Sequence, residues 1–121
     1  MTAKAEQQER ANRMAEAALD RKAVDVVALD VSALTSYADT FVIATGTSDR
    51  HTRAIADAIR EAVAAQGEQP LGVEGYDEGR WVLIDLGDVI VHLFRPEVRA
   101  FYQIERIWTA PASAPRKSKR A

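Results

Sequence analysis

The spacing of hydrophobic and polar positions changes several times along the chain, and each change marks an element. Ala, Glu, Gln, Arg and Leu dominate from about residue 5 to residue 22, with no Gly or Pro, which predicts a helix. Its apolar stripe (Ala11, Met14, Ala15, Ala18, Leu19) is thin, so the helix must lean on a sheet. Residues 24–31 are β-branched and aliphatic and predict a strand; residues 32–37 are a polar connection. Thr40-Phe41-Val42-Ile43-Ala44-Thr45 is a continuous apolar run, the pattern of a strand buried on both faces.

Gly46-Thr47-Ser48 breaks that strand. Ser48 suits a helix N-cap and Asp49 its first turn. Ile55, Ile59 and Val63 then recur every fourth residue, with Ala58 and Ala62 beside them, and Gly67 suits the position after the last turn, so a helix spans residues 48–66. Residues 70–75 predict a short strand near a sheet edge, and residues 76–80 a loop. Trp81-Val82-Leu83-Ile84-Asp85 and Val89-Ile90-Val91-His92-Leu93-Phe94 are two strands at hairpin separation. Pro96 opens a last helix over residues 97–109.

The order α-β-β-α-β-β-β-α predicts one α/β (α+β) domain, a five-stranded mixed sheet flanked by helices. The passage through residues 41–73 is expected to make a right-handed crossover. The domain is expected over residues 1–110. Residues 111–121 begin Pro111-Ala112-Ser113-Ala114-Pro115 and read as a disordered basic tail.

Charge sharpens this division. The chain carries −2, while the last six residues hold four cations and no acid, so residues 1–115 carry −6. Such a body lacks the basic face of a nucleic-acid binder and is attracted to basic protein surfaces. The tail either contacts phosphates or serves only solubility. There are no cysteines and two histidines, which excludes disulfides and thiolate zinc sites. No run approaches the ~18 apolar residues of a membrane span, and the polar N-terminus lacks a secretory core, so a cytoplasmic protein is expected.

Candidate chemistry is sparse. The Gly46-Thr47-Ser48 turn admits two readings: ordinary N-capping, or an anion site as in nucleotide-binding and nucleotidyltransferase-like enzymes. The second needs paired carboxylates on the next strand to hold metal ions, and that strand offers Glu74 alone. His51, early in its helix, is expected to be exposed, and neither it nor His92 belongs to a ligand set of usual spacing, so neither metal nor cofactor is expected.

The hairpin is the most informative surface. With Leu86-Gly87 as a two-residue turn, Asp85 opposes Asp88, Leu83 opposes Ile90, and Trp81 opposes His92. One face then carries Trp81, Leu83, Asp85, Asp88, Ile90 and His92, and the other carries Val82, Ile84, Val89 and Val91. The first face is either a contact patch with an aromatic anchor and a charged rim, or a surface packed under a helix. Along the last helix Val98, Phe101, Ile104 and Trp108 form an apolar face. Arg99, Tyr102, Glu105 and Trp108 form an adjacent stripe.

Several segments carry a resemblance: Ala28-Leu29-Asp30-Val31, the run from Ala38 to Ser48, Arg50-His51 with Ile55-Ala56-Asp57, and Gly72-Val73-Glu74-Gly75. The strongest is the run from Trp81 to His92, and Tyr102, Glu105 and Trp108 follow at matching spacing. In these segments, over about residues 8–109, the chain resembles the bacterial ribosomal silencing factors of the Iojap family. The resemblance implies a nucleotidyltransferase-like fold without catalytic activity. It implies a protein that binds the large ribosomal subunit at its fourteenth ribosomal protein and sterically blocks joining of the small subunit. Translation would thereby fall in nutrient limitation or stationary phase, and the family is also implicated in large-subunit biogenesis. Carried onto this chain, the implied interface residues are Trp81, Asp85, Leu86, Asp88 and His92, followed by Asp39, Glu74 and Tyr102. Leu86 stands where many relatives carry an aromatic, so its contact is expected to be smaller. A homodimer of the free protein and a minor ribosomal RNA contact through the tail are compatible with this reading.

Overall fold

The structure, a computed structural model, describes residues 3–36 and 38–103. Its elements are α1 (Ala3–Asp20), β1 (Val24–Asp30), β2 (Thr40–Thr45), α2 (Asp49–Ala65), β3 (Gly72–Glu74), β4 (Trp81–Asp85), β5 (Val89–Phe94) and α3 (Pro96–Tyr102). This is the order the hydrophobic pattern predicts. α1 stops two residues earlier than expected because Lys22 takes a left-handed φ of 64° and the chain turns into β1. α3 is also shorter than expected. Gln103 is left-handed and its N–H returns to the Arg99 carbonyl, closing the helix after Tyr102. The rest of the expected last helix, with Ile104, Glu105 and Trp108, and the tail at 111–121 lie outside the described residues.

The sheet order is β1-β2-β5-β4-β3. β2 and β5 run parallel and the other neighbouring pairs are antiparallel, so the sheet is mixed. β2 and β5 lie inside it, and each is buried from end to end, as their continuous apolar runs require. α2 carries the chain from β2 across β5 and β4 to β3, which forms one edge as expected. The other edge, β1, has an irregularity between Val24 and Val27, where Asp25 takes φ 52°.

α1 and α2 cover one side of the sheet. Ala11, Met14 and Ala18 of α1 and Ile55, Ile59 and Val63 of α2 pack against Val42, Ala44, Val82, Ile84, Val89, Val91 and Leu93. Each large side chain so buried stabilises the fold by about 1.5–3 kcal/mol. Leu19, expected in the stripe of α1, is instead 55% exposed near the end of its helix. The opposite side carries Val27, Leu29, Phe41, Ile43, Ile90, Phe94, Trp81 and Leu83. Val98 of α3 and Val31 and Ala38 of the connection before β2 join that cluster.

The hairpin corrects the expected pairing. Asp85 pairs with Ile90, Leu83 with His92 and Trp81 with Phe94, a shift of two residues. The turn is Gly87-Asp88, not Leu86-Gly87. Leu86 N–H donates to the Val89 carbonyl at 2.9 Å, and Gly87 adopts φ 92°, a conformation glycine takes without strain. A two-residue shift leaves every strand side chain on its expected face. It moves Asp88 into the turn and adds Phe94 to the face of Trp81.

Candidate functional site

Residue 81 begins β4, and three contacts set its place. The preceding loop is tied to α2: the Tyr76 hydroxyl donates to Asp57 Oδ1 at 2.9 Å, and Arg53 donates to the Asp77 carbonyl at 3.0 Å. The bond to Asp57 holds the Tyr76 proton and raises its pKa. The Trp81 ring then lies 4.8 Å from Phe94 and 4.9 Å from Tyr102, with interplanar angles of 42° and 48°. Such tilted pairs add to the gain from burial. Its indole N–H donates to His92 Nδ1 at 3.2 Å.

Tyr102 reaches Trp81 because α3 is clamped at the sheet end. Arg99 Nη1 donates to the Asp25 carbonyl at 2.7 Å and to Thr45 Oγ1 at 2.8 Å. Arg95 Nη1 meets Asp49 Oδ1 at 2.9 Å, and its N–H donates to the Arg80 carbonyl at 2.9 Å. The outcome is a row of rings from Phe41 through His92, Phe94 and Trp81 to Tyr102 and Phe101. Its inner members are buried. Its outer members, Tyr102 at 49% and Phe101 at 79%, are exposed, and Trp81 is half-buried between them.

His92 is 4% exposed in the middle of this row. Burial pushes its pKa down to about 4, so the imidazole is neutral near pH 7. Because Nδ1 accepts from Trp81, the proton sits on Nε2, which is buried and has no hydrogen-bond partner among the described residues.

The acidic residues gather at the other end of the sheet, about 13 Å along β4 from Trp81 at strand rise. Asp85 Oδ1 accepts from the Gly87 N–H at 2.9 Å and so shapes the turn. Asp88 Oδ1 lies 3.4 Å from Arg10 Nη2, and its carbonyl accepts from the N–H groups of Asp39 and Thr40. Arg10 also meets Glu68 at 2.7 Å. The two like charges expected side by side on the hairpin are thus answered locally, one by a backbone donor and one by α1.

The structure brings together two sets of the candidate residues and separates others from them. Trp81, His92 and Tyr102 form the aromatic end, and Asp39, Asp85 and Asp88 the acidic end. Glu74 stands exposed on edge strand β3, opposite Leu83. Leu86 is 9% exposed and belongs to the helix-covered core, on the side away from Trp81. Sequence reasoning overlooked Phe94, Phe41 and Arg10, and it placed on the apolar face of the last helix Phe101, which the structure leaves 79% exposed. Phe94 has the parity of His92 and Ile90, so extending the alternation to the end of β5 reveals it. Phe41 meets His92 through the parallel pairing of β2 with β5, which no local pattern encodes.

Two backbone donors of the Gly46-Thr47-Ser48 turn are used within the chain: the Gly46 N–H donates to the Phe94 carbonyl at 2.9 Å and the Thr47 N–H to His51 Nδ1 at 2.9 Å. Ser48 is the N-cap, as expected, its Oγ accepting from the His51 N–H at 3.0 Å. His51 is half-buried rather than exposed, because its Nε2 also reaches the Arg21 carbonyl at 2.7 Å. A Cβ on Gly46 would stand 2.9 Å from the backbone of Thr52, so glycine lets the helix start close against the strand. Asp49 places a carboxylate in the first turn of α2, where it suits the helix N-terminus and pairs with Arg95. This geometry favours the N-capping reading. Among the described residues no group of three His, Asp or Glu side chains is arranged to hold a metal ion.

Comparison with known proteins agrees with this architecture. A family model described as "Ribosomal silencing factor during starvation" matches residues 4–121. A ribosomal silencing factor of Bacillus subtilis is 44% identical over 89 residues, which cover 74% of this chain and 75% of that protein. The crystal structure of protein CV0518 from Chromobacterium violaceum superposes with a TM-score of 0.82 at 40% identity, covering 84% of each chain. A mouse protein named for mitochondrial assembly of the ribosomal large subunit is 32% identical over 88 residues, 70% of this chain and 39% of that protein. In fold, in sequence and across nearly its whole length, the chain belongs to the ribosomal silencing factor family.

Proposed function

We propose that the protein binds the large ribosomal subunit through its fourteenth ribosomal protein and, by occupying that surface, keeps the small subunit from joining. It acts in the cytoplasm, by occupancy and not by catalysis, and lowers translation when nutrients are limiting. The observation that carries this reading is the half-buried Trp81, packed between Phe94 and the exposed Tyr102. A large aromatic held in place and partly open to solvent has the character of a binding anchor. Asp39, Asp85 and Asp88 supply acidic groups at the other end of the sheet, and a body of −6 favours approach to a basic ribosomal protein. Membership of the silencing-factor family supports the choice of the ribosome as partner.

The test is sedimentation of purified large subunits with the protein, its Trp81→Ala variant and a variant lacking residues 116–121. The reading expects the protein to comigrate with the large subunit, Trp81→Ala to lose most of that comigration, and the tail deletion to lose little. Equal binding by all three would overturn the assignment of Trp81. A second role in large-subunit assembly is supported by the name of the mouse relative. It expects large-subunit precursors to accumulate in cells lacking the protein.

A further inference from the structure

We propose that His92 serves as the positioning residue of Trp81 and does not itself touch the partner. This rests on the docking reading above. His92 occupies the middle strand of the sheet, opposite Ile43 on β2 and Leu83 on β4. Its ring lies edge-on to Phe41 at 4.8 Å and stacks with Phe94 at 5.9 Å and 5°. Ile90 completes an apolar setting in which Phe or Leu would fill the space as well. What an imidazole adds there is an acceptor, and the Trp81 N–H takes it at 3.2 Å.

Trp81 needs that acceptor. A half-buried indole whose N–H had no partner would turn it toward water, and the ring would leave its places against Phe94 and Tyr102. The cost falls on the other nitrogen: Nε2–H is buried and has no acceptor among the described residues. The polar capacity of His92 is therefore spent on orienting Trp81. At 4% exposure it offers a docking partner almost no surface. The low pKa agrees, since a neutral ring is the form that can accept at Nδ1.

The experiment uses the full chain with His92→Phe, which fills the site without an acceptor, and His92→Asn, whose Oδ1 replaces Nδ1. Indole N–H resonances, with that of Trp81 assigned through Trp81→Phe, report hydrogen exchange with water. Affinity for large subunits is measured on the same samples. His92→Phe is expected to speed indole exchange and weaken binding about tenfold, the scale of one hydrogen bond, and His92→Asn to restore most of both. Loss of binding in both variants with indole exchange unchanged would make His92 a contact residue and overturn the proposal. So would wild-type affinity in His92→Phe when Trp81→Ala binds poorly. Binding unaffected by Trp81→Ala would overturn the docking reading itself. Should His92→Phe fail to fold, imidazole nitrogen shifts of the unmodified protein still decide: a proton on Nδ1 would contradict the proposal.

Discussion

The two sides of the sheet use the same strands for different ends. Beneath α1 and α2 the strand residues are aliphatic: Val42, Val82, Ile84, Val89, Val91 and Leu93, each fully buried. On the other side stand Phe41, His92, Phe94 and Trp81, and the burial falls away from the middle strand outward to Tyr102 and Phe101. Aliphatic packing gains from exclusion of water and needs no direction. A ring with an oriented N–H and exposed neighbours gains less stability but presents a shaped surface. The difference teaches where to look for function in a small sheet protein: on the side where polar atoms have been placed among rings.

Substitutions can break this comparison. Ile84→Ala, on the helix-covered side, is expected to destabilise by about 2–5 kcal/mol in urea unfolding. Trp81→Ala should cost clearly less, and equal losses would mean that both sides are simply core.

Acid gives the next effect. His92 has a folded pKa near 4, below the ordinary value near 6.5, so the unfolded chain takes up the proton first as pH falls. Its contribution is intact above pH ~6.5, declines between ~6.5 and ~4, and then levels off, a loss of about 3 kcal/mol. The stability of wild type should fall relative to that of His92→Phe over that window. A constant difference would show that His92 is not buried as a neutral ring.

Asp85→Ala removes the acceptor of the Gly87 N–H and should cost about 1 kcal/mol, read from thermal unfolding. The smallest effect is that of Arg10→Ala, whose pairs with Glu68 and Asp88 are partly exposed and are worth about 0–1 kcal/mol. A larger loss would make α1 a brace for the hairpin turn.

Much of the fold was legible from pattern. β4 and β5 begin and end where their apolar runs do, and alternation assigned Trp81, Leu83, Ile90 and His92 to one face and Val82, Ile84 and Val91 to the other. The hairpin pairing was not legible, because Leu86-Gly87 and Gly87-Asp88 both suit a two-residue turn and only the backbone at Gly87 decides between them. That choice also put Leu86 in the helix-covered core, beside Arg10, Met14 and Val63. The contacts of Tyr102 with Trp81 and of Phe41 with His92 join elements that are distant in sequence. They follow from sheet order and from the Arg99 clamp, and neither leaves a local trace.

The most direct test of the central claim follows subunit joining by light scattering as small subunits are added to large ones. Three proteins are compared: wild type, Trp81→Ala, and Glu61→Ala on the exposed surface of α2. The account predicts that wild type and Glu61→Ala suppress joining alike, while Trp81→Ala, still folded, suppresses it at least tenfold less effectively, the scale of a lost aromatic anchor. Equal suppression by all three would contradict it.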